Sequence, residues 1–173
     1  LGMDPGQVLA DFPEARDLLT QGLPPLLFNI QLARAARAHA SDMLAGGYYS
    51  HDSLDGRTSE DRMRGAGYDP LDAAESLRLV CLGNDDLLLN DSLPNHVNDR
   101  SERLIQQIFE GLFTRELRPQ NTGQKNILNA SLKDIGIGLA FGISPELGGI
   151  CGDRVLLLVV DSGVTAENQA SLQ

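Results

Sequence analysis

Apolar positions follow three kinds of pattern along this chain. In "NIQLARAARAHASDMLAGG", Leu32, Ala36, His39 and Met43 are spaced four, three and four apart, so they share one face of a helix. Asn29 suits the N-cap, because its side chain can accept from free backbone amides. Alanine, leucine and arginine favour the helix body, and Gly46-Gly47 closes it. "TSEDRMRGAGY" predicts a second, short helix, with Thr58 or Ser59 as cap, Glu60 and Asp61 in the first turn, and Gly65 or Gly67 at the end. "DRSERLIQQIFEGLFTREL" is amphipathic: Leu104, Ile105, Ile108, Leu112 and Phe113 form its apolar face, and Asn98 or Asp99 can cap it. A further helix is predicted roughly over Gln7 to Thr20, stopped by Gly22 and Pro24-Pro25.

The pattern changes in the last third. "DIGIGLAFG" alternates glycine with larger apolar residues and predicts a strand. "RVLLLVVDSG" is an apolar run of strand length, hence a buried strand, and "SPELGGICGD" between the two reads as a hairpin loop. "LDAAESLRLVCLG" is open between helix and strand. "GNDDLLLNDSLPNHVND" (residues 83–99) predicts a long polar loop, and "ENQASLQ" a frayed tail or the start of a linker. Helices first and an antiparallel pair last make an α+β chain, not an alternating βαβ one. We expect a single domain over residues 1–163, with 164–173 as the tail.

Composition adds exclusions. At 173 residues the chain buries roughly two thirds of its unfolded surface, so it needs no metal or disulfide framework to fold. A net charge of −10 argues against nucleic acid or an anionic membrane as partner. No stretch approaches the ~20 apolar residues of a membrane span. The chain starts at Leu1 without a charged-then-apolar leader, and so reads as a mature or trimmed piece. Two cysteines, Cys81 and Cys151, allow one bridge and do not settle the redox compartment. No Gly-x-Ser-x-Gly motif is present, and neither cysteine has a histidine near it in sequence.

Candidate chemistry concentrates in "GGYYSHDSLDGRTSEDRMRGAGY". His51 sits just past a helix end, where it reads either as a metal ligand or proton carrier, or as a cap on a backbone carbonyl. His39, on the apolar stripe, reads as a core or helix-interface histidine, with the cleft as its alternative. His96 reads as a solvated loop histidine that could swing into a cleft. Glu75 precedes an apolar stretch, and a half-buried acid there needs a partner, a charged one or backbone amides. Asn84, Asp85, Asp86, Asn90 and Asp91 are oxygen ligands without the EF-hand spacing, so they read first as a solvated turn and second as a calcium loop.

The phrase "LARAARAHASDMLAGGYYSHDSLDGRTSEDRMRGAGY" resembles the signature of bacterial CAP-superfamily (SCP-like extracellular) domains, relatives of cysteine-rich secretory proteins, venom antigen 5 and plant pathogenesis-related proteins. Ala35, Ala36, His39, Asp42, Met43, Tyr49, Ser50, His51, Gly56, Arg62, Gly67, Tyr68 and Glu75 carry the match. "NILNASLKDIGIGLAFG" looks like the family's Asn-Ile-Leu turn and following strand, so the likeness covers about Pro24 to Gly163. The resemblance implies an α-β-α sandwich, with a small antiparallel sheet between helical layers. It also implies a cleft lined by two histidines and two acids. His51 matches the first histidine and Glu75 the first acid, with Ser76 in place of the usual asparagine. Glu116 matches the second acid, or pairs in the open with Arg115 or Arg118. The second histidine is replaced by Gly123 or Gln124.

Two ligands, His51 and Glu75, or three with Glu116, make a weak zinc site, and oxygen ligands suit calcium or magnesium better. The resemblance also puts the ends of the Cys81 and Cys151 segments in one small sheet, which allows a disulfide; two separate buried thiols are the alternative. It implies a secreted or periplasmic, monomeric binding domain. Its cleft would hold a lipid, a peptide or a cell-surface glycan. A metal-dependent hydrolase using His51 and Glu75, and a structural adhesion module of a larger surface protein, are the alternatives.

Overall fold

The computed structural model describes residues 4–13, 16–82, 94–118, 125–148 and 154–170. The predicted first helix is two: α1 (Pro5–Asp11) and α2 (Arg16–Gln21). Pro13 has no backbone N–H to continue the ladder, and Phe12 closes α1 by donating to the Val8 carbonyl. A two-residue strand β1 (Leu27–Phe28) leads directly into α3 (Ile30–Gly46). As predicted, Asn29 caps α3, accepting from the amides of Gln31 and Leu32, and Gly47 ends it in the left-handed region at φ 64°. The stripe Leu32, Ala36, His39 and Met43 is wholly buried.

α4 (Ser59–Gly65) carries a full capping box, with Thr58 and Asp61 satisfying each other's backbone amides. The segment left open by the sequence is a strand, β2 (Asp72–Cys81). α5 (Pro94–Leu117) starts earlier than its expected cap at Asn98 or Asp99, so residues 94–99 are helix and not loop. Proline at a first helical position loses nothing, because its missing N–H would be unpaired there anyway. Residues 83–93 of the expected loop lie outside the described residues, including Asn84, Asp85, Asp86, Asn90 and Asp91, as does the side chain of His96. β3 (Asp134–Ile143) and β4 (Arg154–Val164) are the predicted antiparallel pair, and one helical turn, α6 (Pro145–Gly148), begins the link between them.

The sheet runs β1-β3-β4-β2. Both pairings of β4 are antiparallel, but β1 runs parallel to β3, so the sheet is mixed and not the purely antiparallel one expected. The two-residue β1 was not predicted, because two residues carry no period. α3 and α4 cover one face. There Ala36, Ala40 and Met43 pack on Leu77, Ala140, Leu157 and Val159, and Met63 of α4 packs with Leu32, Ala35, Tyr68 and Ala73. α5 covers the other face, with Ile108 and Leu112 against Leu158 and Val160. This is the α-β-α sandwich of an α+β chain.

Past β4 the described chain is tied to the sheet through Asn168. A short helix α7 (Ala166–Ala170) follows β4, where a frayed tail was expected. Asn168 donates to Asp134 at 2.5 Å, and the Tyr68 hydroxyl donates to the same carboxylate at 2.8 Å. Cys81, the last residue of β2, is disulfide-bonded. Its expected partner Cys151 lies outside the described residues.

At Gly136 and Gly138 of β3, helix α3 rests on backbone. A Cβ built at Gly136 would lie 2.2 Å from the Ala33 nitrogen, and one at Gly138 would lie 2.1 Å from the Arg37 nitrogen. The obstacles are main-chain atoms, so no side chain can swing away. We expect Gly138→Ala to destabilise the domain by about 3 kcal/mol or more, at the upper end of overpacking costs. Urea unfolding of the variant against the parent measures this.

Candidate functional site

The site is built where the end of α3, the α4 helix and the edge strand β2 meet. The left-handed turn at Gly47 releases the chain from α3, and His39 fixes the segment that follows. Its Nε2 lies 2.9 Å from the carbonyl of Ser50. A carbonyl only accepts, so Nε2 carries the hydrogen and Nδ1 is bare. Burial, then the nearby Arg62 charge, pushes the pKa of His39 down and keeps the ring neutral.

One residue on, His51 turns its Nδ1 to the carboxylate of Glu75, 2.8 Å from Oε1. The two candidates, 24 positions apart, therefore meet. The other oxygen of Glu75 receives Arg62 of α4 at 2.5 Å. Arg62 also donates to the Arg57 carbonyl at 3.1 Å and the Ser53 hydroxyl at 3.3 Å, which holds the Gly56 turn against α4. The side chains of Glu75 and Arg62 are 2% and 4% exposed, while that of His51 is 61% exposed. Nδ1–H is thus held from inside and Nε2 belongs to the open side of the ring.

A fourth group completes the cluster. Asp161 sits directly across from Glu75 in the β2–β4 ladder and is fully buried. Burial, then the Glu75 charge beside it, pushes Asp161 well above the usual carboxylate range, which favours its protonated form. For Glu75 the order of strength is different. Burial pushes its carboxyl up, but the His51 hydrogen bond and the Arg62 charge outweigh that and hold it below the usual range. The cluster is therefore one carboxylate, one guanidinium, one protonated acid and a half-open imidazole.

Glu116 is elsewhere. It is buried on α5, on the opposite face of the sheet, and both its oxygens accept backbone amides, from Ile127 at 3.1 Å and Leu128 at 2.9 Å. It neither joins the His51 cluster nor pairs in the open with Arg115 or Arg118; it caps the turn of the "NIL" phrase. Beside it, Asn126 anchors that turn by donating to the Val160 carbonyl at 2.7 Å. Gln124 and Gly123 lie outside the described residues.

Among the described residues the set around Glu75 does not fit a divalent metal, because both oxygens of Glu75 are engaged, by His51 and by Arg62. Among the described residues no three His, Cys, Asp or Glu side chains form a set that could hold an ion. Reading the sequence missed Asp161 as part of the site and assigned no role to Arg62. An acid inside the apolar run "LLLVVDSG" was the available signal for the first, and the Arg-bearing helix of the matched phrase for the second.

The magnitudes separate the two contacts of Glu75. Removing one partner of a buried pair leaves an uncompensated charge, so Glu75→Ala is expected to cost about 3–5 kcal/mol. His51→Ala removes a largely exposed partner and is expected to cost about 1 kcal/mol or less. Chemical denaturation of both variants checks the ratio. The pH signs are opposite for the two acids. The stability from Glu75 is full above its unfolded pKa and is lost as pH falls through its depressed folded value. The contribution of Asp161 is full below its unfolded pKa and is lost as pH rises toward its raised folded value. Asp161→Asn should therefore gain on the parent as pH is raised above the usual carboxylate range of about 4. A stability difference that does not change with pH would contradict this assignment.

Comparison with known proteins bears on the same segment. The model of the CAP family, described as the cysteine-rich secretory protein family, matches residues 14–142. Searched against curated proteins, the sequence matches none. Among solved structures, an outer surface protein of Borrelia burgdorferi is similar with a TM-score of 0.51 at 14% identity, over 93% of this chain and 95% of that one. An extracellular protein containing an SCP domain from Bacillus anthracis aligns at 17% identity with a TM-score of 0.44, over 92% of this chain. This chain spans 44% of that protein's length.

Proposed function

The chain belongs to the CAP (cysteine-rich secretory protein) family, and from that premise we propose that it is a non-catalytic ligand-binding domain that works outside the cytoplasm. The single observation that carries this reading is the double engagement of Glu75, by Arg62 at 2.5 Å and His51 at 2.8 Å. A carboxylate committed on both oxygens is poorly placed to bind a metal or to take a proton from water, yet it builds a rigid polar wall. Arg62 supplies from within the chain the positive charge a metal would bring. The family match and the surface-protein neighbour favour an extracellular or periplasmic setting. No helix among the described residues is long and apolar enough to cross a membrane. The ligand classes that fit the reading are a lipid, a peptide or a cell-surface glycan, taken up by a monomer.

The test is a thermal-shift series with zinc, calcium and magnesium chlorides, beside a panel of organic ligands. A ligand of the native state raises apparent stability by RT ln(1 + [L]/Kd), roughly 2.7 kcal/mol at a hundredfold excess over Kd. The metals are expected to leave the midpoint unchanged. Stoichiometric metal binding that disappears in His51→Ala and in Glu75→Gln would overturn the reading, as would hydrolysis of a test ester that both variants abolish. On the bridge between Cys81 and Cys151, intact-mass measurement after alkylation of the unfolded, non-reduced chain is expected to show no free thiol. Two modified thiols would remove the bridge and the support it lends to an oxidising compartment.

A further inference from the structure

The two edges of the sheet are finished differently. The β2 edge carries Glu75 and Arg78, and His51 comes alongside to bond Glu75. At the β3 edge, β1 pairs with Asp134 and Ile135 and then stops. From Gly136 to Ile143 no strand among the described residues pairs with β3 on that side.

The free stretch has the features of a strand open to pairing. Its register with β4 runs unbroken from Asp134 to Ile143, so no bulge twists it away. Residues 135–143, "IGIGLAFGI", hold no charged residue and no proline. Natural edge strands use such devices because an open row of N–H and C=O groups recruits further strands. The direction of that row follows from β1. The carbonyls of Lys133 and Ile135 accept from the amides of Leu27 and Asn29, so odd-numbered residues of β3 turn their main-chain groups to this edge. The same alternation sends their side chains to the face that α5 covers, where Ile135 and Ile137 join the cluster of Ile108 and Leu112. Leu139, Phe141 and Ile143 lie beyond that cover and are 47%, 49% and 70% exposed. Unpaired main chain and uncovered apolar side chains thus belong to the same residues.

Helix α3 decides what kind of strand fits. It tracks β3 along its length: Gly136 lies under Leu32 and Ala33, Gly138 under Ala36 and Arg37, and Gly142 under Leu44. One flank of α3 borders a cavity of about 610 Å³ against α4, with Arg34, Arg57, Arg62 and Asp42 as its charged lining. The other flank overhangs the β3 edge. A second copy of the chain, paired antiparallel here, would keep its own α3 on the same face. Neighbouring strands lie about 5 Å apart, whereas packed helices need about 8–10 Å between axes, so such a pair collides. Each copy also carries a net charge of −10. The strand that fits brings no helix with it.

Charge narrows the occupant further. Ala36, Ala40 and Met43 turn from α3 toward β4 and β2, so Arg37 and Ser41, each one residue further round the helix, fall on the edge side, and both are exposed. At the end of the apolar strip the exposed Arg154 pairs across the ladder with Ile143. Among the described residues neither arginine forms an ion pair.

We propose that the β3 edge takes an extended peptide segment as an added strand, apolar beside Leu139, Phe141 and Ile143 and acidic on the side under Arg37. In such additions main-chain bonds supply affinity and alternate side chains supply specificity. The surface lies on the opposite edge of the sheet from the His51–Glu75 contact, so the inference goes beyond the reading of that cluster and does not depend on it.

Fluorescence anisotropy with a labelled octapeptide of alternating valine and glutamate tests it. The peptide is expected to saturate one site per chain. A valine–lysine octapeptide should bind about fivefold more weakly, and Arg37→Glu should reverse that preference. Two N-methylated forms read the backbone. Methylating every valine nitrogen blocks an antiparallel ladder and methylating every glutamate nitrogen blocks a parallel one, because the two directions turn opposite sets of amides to β3. One form is expected to lose binding and the other to keep it. Phe141→Glu changes an exposed side chain, so it should melt like the parent while losing about tenfold or more in affinity. Loss of both methylated forms, or of neither, overturns the added strand, as does absence of saturable binding. Affinity unchanged in Phe141→Glu overturns the site. Binding lost in His51→Ala would move the peptide to the other edge and overturn it too. A dimer in analytical ultracentrifugation that Phe141→Glu disperses would give the edge to a second copy instead.

Discussion

The close seat of α3 on β3 is the constraint from which the rest of this domain follows. A Cβ at Gly136 or Gly138 would overlap main-chain atoms of the helix, so helix and strand meet backbone to backbone. At that separation only small side chains fit between them, and the buried positions of α3 are accordingly rich in alanine: Ala33, Ala35, Ala36 and Ala40. The larger buried residues, Leu32, His39 and Met43, come along the same face. A helix held at this height ends at a fixed place, and the left-handed Gly47 turns the chain there. The four residues from Gly47 to Ser50 then bring His51 level with the edge strand β2, where Glu75 waits. Had α3 ridden one side-chain layer higher, the 2.8 Å contact would be out of reach.

The ion pair is a consequence of that placement more than a source of stability. Burying both Arg62 and Glu75 costs several kcal/mol per ion in desolvation, and their attraction repays that only when the geometry is good and the remaining donors are used. Here they are mostly used: three of the five N–H groups of Arg62 find acceptors, both of those on Nη1 and one on Nη2, while Nε has none. An apolar pair of equal volume could be as stable. What the pair adds is position, because it ties α4 to the edge of the sheet and fixes Glu75 so that His51 has a single place to bind. Asp161, held protonated next to Glu75, avoids the second negative charge that would undo the balance.

Much of the fold was legible because its signals are local. The four-three-four stripe of α3, its Asn29 cap, its Gly47 end and the Thr58 capping box are each written within one or two turns of chain. The alternation of β3 and the apolar run of β4 are equally short-ranged. What could not be read depends on neighbours far away in sequence. β1 is two residues long and exists only because Lys133 and Ile135 offer carbonyls to Leu27 and Asn29. β2 reads as helix or strand until β4 supplies its ladder. For the site, the His51–Glu75 contact was expected from the matched phrase, whereas Glu116, matched to the second acid of the cleft, lies on the other face of the sheet. Its spacing after an aromatic says nothing about which layer its helix joins, and two unpaired amides at Ile127 and Leu128 claim it. Asp161 was passed over because an acid in a buried strand is unfavourable by composition, and only the register with Glu75 gives it a reason.

The acidic character of the whole chain does not decide what its cavity can hold. At physiological ionic strength charges are screened over about 8 Å, so the excess of surface carboxylates acts on an approaching anion mainly as a reduced encounter rate. Inside the cavity the nearest charged groups act at closer range, and these are Arg34, Arg57, Arg62 and Asp42. The one aspartate among them, Asp42, is turned to Tyr48. Glu75 lies behind Arg62 with both oxygens spent, and Asp161 is neutral. The same cluster that commits both oxygens of Glu75 leaves Nε of Arg62 buried and without a partner. Distance and burial, not net charge, set the sign of the field there.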